Sequence, residues 1–158
     1  MGKEECHKHP VKLHRAISVL IFDPKGQKML LQRRSSQKCT WPLFWTNTAC
    51  SHPYDGEDNL TAAQRRLTEE MGITVPLKEV FSFVYEAKYD ETYGEYEYDH
   101  VFVGSYEGEV KPDSLEVSEF KWMEMNLLRE DVLKNPDDYT PWFKLILAKL
   151  ASVPSAMI

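Results

Sequence analysis

Apolar positions along the chain change period several times, and each change marks an element. Ala16-Ile17-Ser18-Val19-Leu20-Ile21-Phe22 is a short β-rich run, and Asp23-Pro24-Lys25-Gly26 supplies a turn before Met29-Leu30-Leu31, which predicts a hairpin. An aromatic, irregular stretch follows from Trp41 to Trp45 and runs on to Pro53, where a ladder must stop. The period then becomes helical. From about Asn59 to Met71 the apolar residues Leu60, Ala63, Leu67 and Met71 share one face, Asp58 or Asn59 can cap, and Gly72 stands where a C′ residue belongs. Val80–Tyr85 and Tyr96–Val103 are aromatic and β-branched around the polar turn Asp90-Glu91-Thr92-Tyr93-Gly94, so they predict a second antiparallel pair. A strand at Phe120–Met123 precedes a short helix near Leu127–Leu133. Thr140-Pro141-Trp142 reads as a cap with Pro at N1, opening a last helix.

The order β-β-β-α-β-β-β-α-α predicts an α/β (α+β) fold with a mixed sheet flanked by helices. Without repeats, low-complexity tracts or a linker, residues 1–158 read as a single domain. Nineteen basic against 25 acidic residues leave a net charge of −6, which argues against nucleic-acid or membrane-surface binding. No apolar run approaches the roughly 18 residues that span a bilayer. Cys6, Cys39 and Cys50 are odd in number and follow no apolar leader, which points to a reducing cytoplasm instead of a disulfide framework.

Cys50 and His52 are two apart, so in an extended segment a thiol and an imidazole face one pocket; Glu95 and Glu97 repeat that spacing with two carboxylates. His7, His9 and His14 cluster before the first strand. Imidazoles with carboxylates suit a borderline divalent metal, and more than four such ligands fit six-coordination better than structural zinc.

From Ser51 to Ile73 the spacings resemble the Nudix box, G-x5-E-x7-R-E-U-x-E-E-x-G-U, carried by Glu57, Arg65, Glu69, Glu70 and Gly72. Helical carboxylates on one side can bind the divalent cation of a diphosphate. Two positions depart from the box: Ser51 replaces the first Gly and Arg66 replaces the catalytic Glu. Trp45-Thr46-Asn47-Thr48-Ala49-Cys50-Ser51-His52-Pro53, the altered box, Tyr93-Gly94-Glu95-Tyr96-Glu97-Tyr98-Asp99 and Thr140-Pro141-Trp142-Phe143 together resemble type I isopentenyl diphosphate isomerase, from about Lys3 to Leu150.

That resemblance implies a Nudix-like fold and an enzyme that moves a carbon–carbon double bond. It implies Cys50 as the catalytic thiol, Glu97 with Tyr85 as the acid, and Trp142 as the indole facing a tertiary carbocation. It implies His7, His14, His52, Glu95 and Glu97 as ligands of one Zn²⁺, Mn²⁺ or Mg²⁺. It implies further that Glu70 and the backbone carbonyl of Cys50 hold a Mg²⁺ bridging the substrate diphosphate, and that Lys3, Arg34, Lys38 and Arg66 surround that diphosphate. His9 and His100 match no ligand position. The implied partner is a small prenyl diphosphate bound by a monomer. Relatives of this kind carry additional residues before the position of Lys3, so Lys3 and His7 are expected to order with metal and substrate. Once Glu70, Glu95 and Glu97 are assigned to cations, the net charge no longer speaks against a small diphosphate. Two other functions compete: a Nudix-type diphosphate hydrolase, against which Arg66 speaks, and a silent metal-binding domain, against which the retained Cys50, Tyr85, Glu97 and Trp142 speak.

Overall fold

The computed structural model describes residues 3–154 and residue 158, without the side chains of Lys3 and Glu4, so the role expected of Lys3 lies outside the described residues. The elements are α1 (Lys3–His7), β1 (His14–Phe22), β2 (Lys28–Arg34), β3 (Trp45–Thr46), β4 (Ala49–Ser51), α2 (Asn59–Met71), β5 (Lys78–Lys88), β6 (Gly94–Ser105), β7 (Val117–Glu124), α3 (Met125–Lys134), a short 3-10 turn (Pro136–Asp138) and α4 (Pro141–Leu150). One mixed sheet runs β3-β2-β1-β6-β5, with β4 added on β1 and β7 on β2. The β1–β6 contact is parallel, and the hairpin and the β5–β6 pair are antiparallel.

The α2 helix starts and stops where its sequence predicts. Asp58 accepts a hydrogen bond from Thr61 N at 2.9 Å, and Gly72 ends the helix at φ 68°. A Cβ at Gly72 would come within 2.9 Å of Lys111, so both its conformation and its surroundings call for glycine. Ala63, Leu67 and Met71 pack with Ile17, Val19 and Ile21 of β1 on one sheet face. Leu67 has no exposed surface, and its truncation to Ala would cost about 2–5 kcal/mol.

The other face carries Leu20, Phe22, Met29, Leu31, Val101 and Val103, covered by Trp142, Phe143, Ile146, Leu147 and Leu150 of α4. The third predicted strand is two short ones, β3 and β4, and two further features depart from the sequence reading. The polar start forms α1, where Cys6 and His7 are buried. Thr140 stands at the N-cap of α4 but makes no side-chain cap bond; its hydroxyl pairs with that of Thr46 at 2.8 Å, tying α4 to β3.

Candidate active site

Strand alternation carries one sheet face from an apolar half into a polar half. On β6, Val103 and Val101 belong to the core, and the residues continuing their side of the strand are Asp99, Glu97 and Glu95. The parallel β1 register sets His14 opposite Glu97, and β5 sets Tyr85 opposite Glu97 from the other side. On β4, Cys50 pairs in register with Ser18 of β1. Elements far apart in sequence thus meet around a cavity of about 330 Å³ whose wall includes Cys50, His52, Glu95, Glu97 and Trp142.

One ligand atom from each of His7, His14, His52, Glu95 and Glu97 lies within 4.8 Å of the others. His52 Nε2 is 2.6 Å and His14 Nε2 3.4 Å from Glu97 Oε2, and the two imidazole nitrogens are 3.0 Å apart. Glu95 Oε2 is buried and accepts no hydrogen bond from the described residues, although His7 Nε2 is 2.7 Å away. The spacing is what ligands of one ion require: at metal–ligand distances near 2.1 Å, neighbouring ligands stand about 3 Å apart. The donor set therefore fits a divalent metal. Thr40 Oγ1 donates to Glu95 Oε1 at 2.9 Å, orienting that carboxylate from behind. His7 is buried within α1 beside these groups, so the N-terminal ligand joins the cluster.

Protons in this site are arranged by burial and by charge. Burial alone would raise the Glu97 carboxyl, but hydrogen bonds and charge from His14 and His52 override it and hold Glu97 below the carboxylate range. Burial opposes protonation of His14, and Glu97 reverses that, raising its pKa. Tyr85 donates its hydroxyl to Glu97 Oε1 in a very close contact; burial and the neighbouring carboxylates push its pKa well up. Burial pushes the Cys50 thiol up to about 12, with Arg34 pulling the other way. Arg34 Nη1 stands 3.8 Å from Cys50 Sγ.

Arg34 is buried and fixed by the carbonyl of Thr40 at 3.0 Å from Nη2, whereas neighbouring Arg33 pairs with surface Glu119. Its guanidinium lies 5.1 Å from the centre of the Trp142 ring, against whose indole Trp41 packs edge-on at 5.6 Å. Trp41 is thus core that abuts the site. His9 bonds the Asp90 carbonyl and His100 pairs with Glu79, away from the cluster.

The expected diphosphate groups are only partly together. Arg34 and Lys38 line the cavity, whereas Arg66 and Glu70 do not. Glu70 is buried behind it, accepting from Gln32 Nε2 at 3.0 Å and facing Arg66 Nε at 3.4 Å, and burial raises its pKa against the pull of Arg66 and Lys38.

Sequence reasoning missed Asp99, Thr40, Gln32 and Glu116. Asp99 also lines the cavity; burial, with Glu97 nearby, raises its carboxyl well above the ordinary range, and Ser18 Oγ donates to it at 2.8 Å. Asp99 continues the two-residue series Glu95, Glu97, so that signal was present.

Comparison with known proteins agrees with this geometry. Residues 12–143 match the NUDIX domain family. The Photorhabdus laumondii protein named isopentenyl-diphosphate Delta-isomerase 2 is 45% identical over 150 residues, covering 95% of this chain and 84% of its own length. A protein of the same name from Aromatoleum aromaticum is 40% identical over 154 residues, covering 98% of this chain and 80% of its own. Among solved structures, the MutT protein from Methanosarcina mazei Go1 aligns with a TM-score of 0.65 at 22% identity, over 75% of this chain and 81% of that one, a likeness of fold alone.

Proposed function

The chain belongs to the isopentenyl-diphosphate Delta-isomerase family on a Nudix fold and isomerises isopentenyl diphosphate to dimethylallyl diphosphate; we propose that Glu97 with Tyr85 supplies the proton and that Cys50 removes one. The observation that carries this reading is that Glu97, Cys50 and Trp142 line one enclosure, with Tyr85 bonded to Glu97 and five His and Glu side chains grouped as ligands of one metal would be. An unactivated alkene needs a strong donor on one side and a base on the other, with the tertiary carbocation between them kept from water.

His7, His14, His52, Glu95 and Glu97 would hold one divalent metal, whose charge fixes the Glu97 carboxylate in place and strengthens the pair as an acid. Tyr85 donates its hydroxyl to Glu97 Oε1, so the pair holds the proton that this reading delivers to the terminal alkene carbon. Trp142 offers its π face to the cation, a contact worth on the order of 2 kcal/mol when desolvated. Cys50 acts as thiolate, and the Arg34 guanidinium at its sulfur favours that form. Arg34 and Lys38 receive the diphosphate at the cavity wall and Arg66 from behind it, and Glu70 with the Cys50 carbonyl would hold its Mg²⁺. The substrate is a small prenyl diphosphate. No helix among the described residues is long and apolar enough to cross a membrane; a cytoplasmic setting and a monomer are parts of this proposal.

Two variants test this. Cys50→Ala is expected to lose turnover with its thermal unfolding unchanged, and retained allylic isomerisation would refute the base. His52→Ala is expected to lower bound metal in elemental analysis, and unchanged stoichiometry would refute the ligand set.

A further inference from the structure

Beside the cavity, two cations share one anion. Lys38 Nζ forms a close ion pair with Glu116 Oε2, and Arg66 Nη2 approaches the same oxygen at 3.3 Å. Glu116 immediately precedes β7, and its backbone is fixed: Ser35 N donates to Glu116 O at 3.1 Å, and Glu116 N donates to Asp113 O at 3.0 Å. Burial would raise its carboxyl, but Lys38 and Arg66 hold it down at about 2, so it is an anion throughout the working range.

The two cations depend on it differently. Arg66 also faces Glu69 at 2.8 Å and Glu70 at 3.4 Å, and these contacts remain without Glu116. Lys38 has no second carboxylate partner among the described residues, although part of its side chain already lines the cavity. An ammonium on a flexible four-carbon stem can exchange one oxyanion for another nearby.

We propose that Glu116 is an internal competitor for the substrate's diphosphate, occupying Lys38 and Arg66 in the free protein and yielding Lys38 to the diphosphate when substrate binds. This rests on the reading that Lys38 and Arg66 receive the diphosphate. A carboxylate oxygen between an ammonium and a guanidinium occupies the place that a phosphate oxygen would take on the same pair. It spares Lys38 from lying without a carboxylate partner in a partly buried wall, where an isolated charge is costly. In return, part of the binding energy of the diphosphate is spent displacing it, so Glu116 sets KM from outside the chemistry as a positioning residue.

The test uses Glu116→Gln in the metal-loaded protein, with inorganic pyrophosphate as the calorimetric probe and KM for isopentenyl diphosphate as the kinetic one. Pyrophosphate is expected to bind about fivefold tighter and KM to fall by a similar factor, the scale of one partly exposed ion pair. Glu116→Ala, checked for native thermal unfolding, carries the same expectation should the Gln variant misfold. A KM that rises, with weaker pyrophosphate binding, would mean that Glu116 only holds the cations in place and would overturn the proposal; unchanged values would do the same. Lys38→Ala separates the two levels. If it raises KM while neither Glu116 variant lowers it, the competitor is wrong and the diphosphate reading stands. If it leaves KM unchanged, the diphosphate reading falls and the competitor with it.

Discussion

Two groups of carboxylates occupy the two faces of one sheet, and they are neutralised by different chemistry. On the α2 side each box carboxylate meets a permanent cation: Arg65 grips Glu57 with two bonds of 2.9 Å, Arg66 holds Glu69 at 2.8 Å, and Glu70 faces Arg66. On the β6 side, among the described residues, Glu95 and Glu97 meet imidazoles and hydroxyls. Arginine cannot give up its proton or yield a ligand site, whereas imidazole, phenol and thiol can do both or one. Charge on the helix is therefore largely committed to ion pairs, with Glu70 alone proposed to hold the diphosphate's Mg²⁺, and charge on the strand remains available for coordination and proton transfer. Replacing a box Glu by Arg66 accounts for much of this division, because it sets a guanidinium among the carboxylates that a diphosphate hydrolase would give to metal.

The sharpest way to break the comparison is to remove one carboxylate from each side. Glu97→Gln is expected to lower kcat by roughly 1,000-fold, the scale of a lost acid, with the fold intact. Glu57→Gln is expected to leave kcat within about twofold, since the part-buried Glu57–Arg65 pair does not line the cavity. Comparable losses in steady-state kinetics would erase the distinction. Next in size is Trp142→Leu: losing a desolvated cation–π contact of about 2 kcal/mol should slow turnover roughly 30-fold. A fall in kcat with KM unchanged would be its signature, whereas a change in KM alone would make the indole a mere wall.

The Cys50 thiol must lose its proton to serve as the base, and burial raises its pKa to about 12. Tyr85, whose pKa burial and the nearby carboxylates also push up, keeps its proton over the same range. Hence kcat/KM should rise with pH through neutrality, and Arg34→Gln should lower kcat/KM at neutral pH by removing the cation at sulfur. A profile that falls with pH instead would exchange the roles of acid and base.

The smallest effect concerns stability on the helix side. Glu57 is held at about 2 against an ordinary 4.5, so its contribution is present above about pH 4.5 and is lost as pH falls toward 2. Arg65→Ala should reduce stability by less than about 1 kcal/mol near neutral pH, with the difference vanishing in acid. Denaturant titrations at several pH values would detect a difference that persists.

Legibility followed the range of each interaction. The α2 helix could be read to its ends because period, Asp58 and Gly72 all act locally. Its counterpart α1 is five polar residues without periodicity, and only burial of Cys6 and His7 against distant strands accounts for it. Cys50 with His52 and Glu95 with Glu97 were visible because strand alternation assigns side chains to faces. The β1–β6 register that brings His14 to Glu97 has no local signal, and neither do Thr40 behind Glu95 or Glu116 beside Lys38. The resemblance supplied the ligand set, and the register supplies the reason why it converges.

The central claim is that the strand-side cluster carries isomerase chemistry while the box carboxylates are withheld from hydrolysis. Incubating the metal-loaded protein with isopentenyl diphosphate in deuterated water, followed by proton and phosphorus NMR together, tests both halves at once. The account predicts dimethylallyl diphosphate carrying deuterium in a methyl group, with no phosphate or pyrophosphate released. Release of phosphate without the allylic isomer would contradict it.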